Sequence, residues 1–356
     1  MSALDDVKKW ITEPLPSITA ATEAARQTLT DIRTTKRIEP AAGLPENLGL
    51  VAYGSLAREE WTQGSDVDWT LLIDGPGAAA HFELAQQING QLEQHRFQGP
   101  GATGTFGSLA SSHELIHRIG GTEDSNQNLT RRILLLLESI SINDDLVRKR
   151  VLRQILERYI ACDPSVSWLS VPRWRVPRFL LNDIVRYWRT VAVDYAWKKW
   201  EQPSGKWALR NIKLRFSRKL LFVKGLLLCL DCEAGKLRPL ATSIVDTQAL
   251  SNQMIERCVE FANIPALELL CEAAHKVNDS KNTRTLLVAY DGFLELLSDP
   301  AARKSLAELP FDQNANQNQY FDRARSLGRQ FQAALESLFF QPGHPWANLM
   351  KSHGVF

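Results

Sequence analysis

Tyr53-Gly-Ser-Leu-Ala-Arg-Glu-Glu-Trp-Thr-Gln-Gly-Ser-Asp-Val-Asp-Trp-Thr70 sets Gly54-Ser55 ten residues ahead of Asp66-Val67-Asp68. From Asp66 to Asp74 the residues alternate, with Val67, Trp69, Leu71 and Ile73 on one face and Asp66, Asp68, Thr70 and Leu72 on the other. That period of two predicts a half-buried strand. Successive side chains on a strand point to opposite faces, so Asp66 and Asp68 project the same way.

Two carboxylates that close repel each other unless positive charge lies between them. A hard cation meets that need: Mg²⁺, or Mn²⁺ in its place, completed by the oxygens of a substrate phosphate. Upstream, Leu50-Val-Ala-Tyr53 reads as a short buried strand that ends at Gly54, whose missing Cβ permits a tight turn and close approach of backbone to phosphate. The residues after it, Ser55 to Trp61, are helix formers, and N–H groups at such a helix start, with the Ser55 hydroxyl, suit the β- and γ-phosphates of a nucleotide.

Gly54-Ser55 followed by Asp66-Val-Asp68 resembles the signature of the DNA polymerase β-type nucleotidyltransferase superfamily. Within it, the Gly-Ser-x-Ala-Arg-x-Glu and Gly-Ser-Asp-x-Asp wording looks most like bacterial proteins related to the uridylyl- and adenylyltransferases of nitrogen regulation. The resemblance implies an α+β fold, a small mixed β-sheet nucleotidyltransferase domain followed by an all-helical domain. It also implies a reaction in which an acceptor hydroxyl attacks the α-phosphorus of a nucleoside triphosphate and pyrophosphate leaves. Asp66 and Asp68 would bind two Mg²⁺, while Gly54, Ser55, Arg58 and Ser65 would hold the nucleotide. Members of the superfamily generally add a third carboxylate from a neighbouring strand. No apolar-acid-apolar triplet stands out between Phe97 and Gly120, so Glu114 and Asp124 are the candidates for activating the acceptor, with Glu123 behind them.

The chain has 356 residues, 44% of them hydrophobic, enough for more than one domain with a core. Residues 1–45 are expected to be a helical segment, 46–140 the catalytic domain with a helix from His81 to Arg96, and 141–356 a helical domain completing the cleft. No apolar run is long enough for a membrane span. The start of the chain has no apolar signal core, and a cytoplasmic location is the expectation. Five cysteines spread over this length make no disulfide framework.

Net charge is +2, yet Arg148 to Lys224 carries 19 Lys and Arg against five acids. Such a field suits a polyphosphate or a nucleic acid. The stretch Lys206 to Asp231 reads as one long helix. At about 100° per residue, Arg210, Lys213, Ser217 and Lys224 fall within a stripe of roughly 60°. The preceding helix, from about Arg178 to Lys199, places Asn182, Arg186 and Arg189 on one face. The two helices are expected to present Arg186, Arg210, Lys213 and Ser217 to the triphosphate, with Arg215 and Arg218 on other faces. Tryptophans crowd the segment from Trp168 to Trp207, most of them suited to a core and one or two to stacking on a base.

His113-Glu-Leu-Ile-His117 also matches the H-E-x-x-H zinc-peptidase pattern, with Glu138 downstream as a third ligand. Arg118 directly after the second histidine, and the short span between Gly107 and Gly120-Gly121, speak against it. The acceptor is left open: a nucleotide or nucleic acid in a signalling or antiviral-defence role, a regulatory protein, or a small molecule. A non-catalytic nucleotide sensor would use the same parts.

Overall fold

The computed structural model describes residues 2–36, 38, 43–101, 105–167, 172–201, 206–241, 243–244, 246–311 and 317–354. The fold is α+β: a four-stranded mixed sheet against many helices. The strands are β1 (Leu48–Tyr53), β2 (Asp68–Ile73), β3 (Ser108–Ser111) and β4 (Ile140–Ser141), in the order β3-β2-β1-β4. β1 and β2 pair antiparallel from Leu48 opposite Ile73 to Tyr53 opposite Asp68, while β3 runs parallel to β2 and β4 antiparallel to β1.

The alternation in β2 is as the sequence indicates, but neither face is left to water. Val67, Trp69, Leu71 and Ile73 pack with Leu48, Leu50 and Ala52 under Ala85, Ile88 and Leu92 of the helix Ala80–Gln94. Thr70 and Leu72 look the other way with Val51 and Tyr53, into the core shared with the helical body. Thr70 is polar at that buried position because its hydroxyl donates to the Tyr53 hydroxyl at 3.1 Å. The strand also starts later than expected. Val67 N–H donates to Gln98 O at 2.9 Å, outside the ladder, so Asp66 sits in the entering loop and Asp68 is the first residue of β2.

The chain's opening helices join the helical body instead of standing apart. Ala3–Ile11 buries Leu4, Val7 and Ile11 in the larger core. Leu4 N–H donates to Glu268 Oε2 at 3.0 Å, and Ile18 N–H, in the helix Pro16–Asp31, donates to Asp291 Oδ1 at 2.9 Å. The expected boundary at residue 140 also falls inside a structural unit, because β4 pairs Ala52 with Ile140 across it. Residues 39–42, near the end of the expected first segment, and 102–104, before β3, lie outside the described residues.

Behind the sheet run the helix Arg178–Glu201 and, after it, Trp207–Lys213, a π-helical turn Leu214–Arg218 and Lys219–Ala234. The two rods pack closely at Gly225, where a Cβ would lie 2.7 Å from Ile184 Cγ2. Glycine there lets the helix that carries the basic residues sit deep in the body. Ser280–Ser298 and Pro300–Glu308 close the other side. Among the described residues no helix is long and apolar enough to cross a membrane.

Candidate active site

β1 ends at Tyr53, and Gly54 turns the chain at φ +70° into a single helical turn, Gly54–Ala57. A Cβ on Gly54 would lie 2.7 Å from Asp68 Oδ2. The turn and the first acidic residue of β2 are therefore in contact, and glycine is needed both for its conformation and for the space. Gly54, Ser55, Ser65, Asp66 and Asp68 line one small inner pocket, and Lys213, Ser217, Arg218 and Arg303 line it with them. The pocket opens into a cleft of about 980 Å³ that shares Asp66, Asp68, Lys213, Arg218 and Arg303.

Among the described residues, neither Asp66 nor Asp68 closes a salt bridge. Burial, followed by the charge of Asp66, pushes the Asp68 carboxyl up to about 7, against the pull of Arg218 and Lys213. Burial lowers Lys213, with Asp66 opposing the shift and Arg303 and Arg218 adding to it. Arg303 is likewise lowered by burial and drawn back by Asp66. Its guanidinium also donates to the Gly64 carbonyl, which ties the Pro300–Glu308 helix to the loop before Asp66. Lys213, Arg218 and Arg303 thus face Asp66 and Asp68 across the pocket without closing an ion pair on either.

A single turn of helix has little macrodipole, so an anion placed in this pocket would be met chiefly by Lys213, Arg218 and Arg303. Among the described residues no three His, Cys, Asp or Glu side chains gather as a metal cage. Asp66 and Asp68 instead offer two carboxylates, which fits Mg²⁺, a cation that keeps waters and takes phosphate oxygens as further ligands.

The π-turn changes which basic residues arrive. Over a regular helix Lys213 and Arg218 would be about 140° apart. A π-turn bonds i to i+5 and brings positions five apart onto one side. Arg218 consequently joins Lys213 in the pocket, although regular spacing puts it on another face. Arg210 lines the outer cleft. Lys224 leaves the stripe: its Nζ donates to the carbonyls of Leu137, Ala262 and Ile264 at 2.9, 2.9 and 2.7 Å, a buried structural knot.

Arg58 reaches the pocket wall but is committed, with Nε on Glu60 at 2.8 Å and Nη1 on Glu138. Glu138 also accepts from Arg218 at 2.9 Å, and Glu60 from the Tyr290 hydroxyl at 2.5 Å. This buried charge network is the floor of the site. It also removes Glu138 as a third zinc ligand beside His113 and His117, which lie exposed on the six-residue helix Ser112–His117.

The candidates for a third acidic residue are not brought to Asp66 and Asp68. Asp124 is buried against Arg132 at 2.8 Å and Arg186 at 2.9 Å, with Gly120 N–H donating to it at 2.9 Å. Burial would push its carboxyl up, but these partners bring it down to about 2. Arg186 is thereby engaged in the fold, away from the pocket. Glu114 lies on the surface, 3.5 Å from Arg118. Carrying the β2–β3 register back from Thr70 opposite Ser108 sets Phe106 beside Asp68, where its ring packs 5.1 Å from that of Tyr53. An aromatic ring therefore holds the neighbouring-strand position at the level of the acidic pair.

Arg303, Glu60 and Phe106 are site residues that the sequence reading missed. Arg303 lies far along the chain with no local signal. Phe106 becomes recognisable only once β3 is in register. No protein-family model matches this chain, and no curated protein matches it.

Proposed function

We propose that the protein is a Mg²⁺-dependent nucleotidyltransferase of the DNA polymerase β type, moving a nucleoside monophosphate from a triphosphate to an acceptor hydroxyl. The observation that carries this reading is the contact of Gly54 with Asp68, which joins a glycine turn to an acidic pair opposite Lys213, Arg218 and Arg303. Asp66 and Asp68 would hold the cation. Bound there, Mg²⁺ supplies charge neutralisation for the attacking and leaving oxygens of an in-line displacement. The Gly54 turn and the Ser55 hydroxyl orient the triphosphate, and the three cations offset its charge. The acceptor oxygen forms a bond to the α-phosphorus, the bond from that phosphorus to the β-bridging oxygen breaks, pyrophosphate departs and the hydroxyl proton passes to solvent.

A second reading, a nucleotide sensor without turnover, is favoured by one feature: Phe106 beside Asp68, with Glu60 and Glu138 locked in ion pairs. One experiment separates the two. The full chain is incubated with Mg²⁺ and each α-labelled triphosphate, alone and with oligonucleotide or protein acceptors, and pyrophosphate is measured. Release that is lost in both Asp66→Ala and Asp68→Ala establishes transfer. Intact triphosphate binding without release from any base establishes the sensor. Release that persists in either variant overturns the assignment of the site.

A further inference from the structure

The outer cleft carries a second set of groups that a triphosphate at Asp66 and Asp68 leaves unused. Trp197 and Trp200 stand on the last turn of the helix Arg178–Glu201, 53% and 74% exposed, with ring centroids 5.2 Å apart. Trp69, Trp207 and Trp346, by contrast, are buried. An exposed tryptophan forgoes a large burial gain, and a pair of them at a cleft is informative in a way that one exposed leucine is not. Trp197 lines the same cleft as Asp66 and Asp68.

Lys198, Lys206 and Lys304 line this cleft too, and none of them reaches the inner pocket that holds Lys213, Arg218 and Arg303. Among the described residues none of the three closes a salt bridge, and the acids on the cleft wall are Glu201 beside Lys198 and, at the inner end, Asp66 and Asp68. The cleft, at about 980 Å³, is at the upper end of single-ligand pockets, which run to roughly 1,000 Å³. The exposed Trp197 indole on the cleft wall, flanked by spaced lysines and with Trp200 tilted at 51° beside it, matches a chain of phosphates whose bases are free to stack. A duplex hides those faces, whereas a single strand offers them.

We infer that the outer cleft is a single-stranded nucleic-acid site, with a base on Trp197 and phosphates along Lys198, Lys206 and Lys304. This rests on the nucleotidyltransferase reading for one point only, that the strand's terminal hydroxyl is the acceptor. In the transfer that oxygen takes the α-phosphoryl group, pyrophosphate leaves and the proton is released to solvent.

The test uses the full chain with Mg²⁺ and 12-nucleotide fluorescein-labelled RNA and DNA of mixed sequence, single-stranded and annealed, read by anisotropy across a salt series. Binding of ATP with Mg²⁺ is measured in parallel by calorimetry. Single strands should bind more tightly than duplexes. Trp197→Ala should weaken strand binding about tenfold, consistent with the loss of one stacked base, and Trp197→Phe should restore most of it. The double variant Lys206→Ala/Lys304→Ala should reduce the salt slope by about 1.4, two phosphate contacts at about 0.7 each. ATP binding in all these variants should stay within about twofold of wild type. The inference is overturned if no strand binds at 50 mM salt, if Trp197→Ala binds strands as wild type does, or if that variant loses ATP affinity instead. Loss of ATP binding in the unmodified protein, with strand binding intact, would defeat the nucleotidyltransferase reading and leave the strand site standing.

Discussion

Lys213 and Arg218 are five residues apart and line the same pocket, because Leu214–Arg218 is wound as a π-helix. Each can then meet a phosphate, while Arg215 is turned aside and donates to Asn211 Oδ1 at 2.8 Å. A charged hydrogen bond is worth about 1.5–3 kcal/mol, so Lys213→Ala should raise the KM or Kd for a triphosphate by about 10- to 100-fold. Arg215→Ala should leave it within about twofold. Equal effects in the two variants, measured by calorimetric titration, would show that the π-turn does not select the phosphate ligands.

Gly54→Ala tests the turn. Alanine at φ +70° costs on the order of 1 kcal/mol, and its Cβ would press on Asp68 Oδ2. The variant should melt lower by a few degrees and bind neither Mg²⁺ nor triphosphate. A variant that is less stable but binds normally would mean that the contact with Asp68 serves the fold alone.

What was legible in the sequence is what short-range pattern encodes. The strand alternation, the Gly54 turn and the acidic pair all lie within about twenty residues, and their contact follows from one antiparallel pairing of β1 with β2. The helical character of the two basic stretches followed from the spacing of their apolar and charged positions. The site's cations were harder. Lys213 and Ser217 fell on the stripe, but the one-residue underwinding after Lys213 moved Arg218 in, and no composition signal marks a π-turn. Arg303 arrives through tertiary packing of the Pro300–Glu308 helix, which periodicity cannot reveal. Asp124 was a candidate because no strand triplet offered a third carboxylate, and Arg186 because it shares a helix face with Asn182 and Arg189. Burial made them partners of each other instead.

That pairing has its own consequence. Asp124→Asn leaves Arg132 and Arg186 facing a neutral group, and breaking a buried pair from one side costs about 3–5 kcal/mol. Thermal or urea unfolding should show this loss, whereas any nucleotide binding by the surviving folded protein should be unchanged. Glu114→Gln, at the surface, should alter neither stability nor activity. A loss of turnover in Glu114→Gln with intact stability would return that carboxylate to the reaction.

Asp68 links stability, cation binding and pH. Its carboxyl moves from an ordinary 3.8 to about 7, first through burial and then through Asp66. Folding therefore takes up a proton between those two values. The contribution of this group to stability is full below about pH 4 and is lost as pH rises through 7, where the buried carboxylate must ionise beside Asp66. Asp68→Asn should then melt closest to wild type near pH 4 and increasingly above it as pH rises to 8, by about 2 °C or more there, while losing turnover. Mg²⁺ should close that gap by stabilising the ionised wild-type site. Since the cation needs the deprotonated form, its affinity should rise with pH through 7 and level off above it. Calorimetry at pH 6.5 in buffers of different ionisation enthalpy should detect a fraction of a proton released per Mg²⁺ bound, falling towards none at pH 8.5. A Mg²⁺ affinity that is flat from pH 6 to 8, with no proton released, would place the cation away from Asp68.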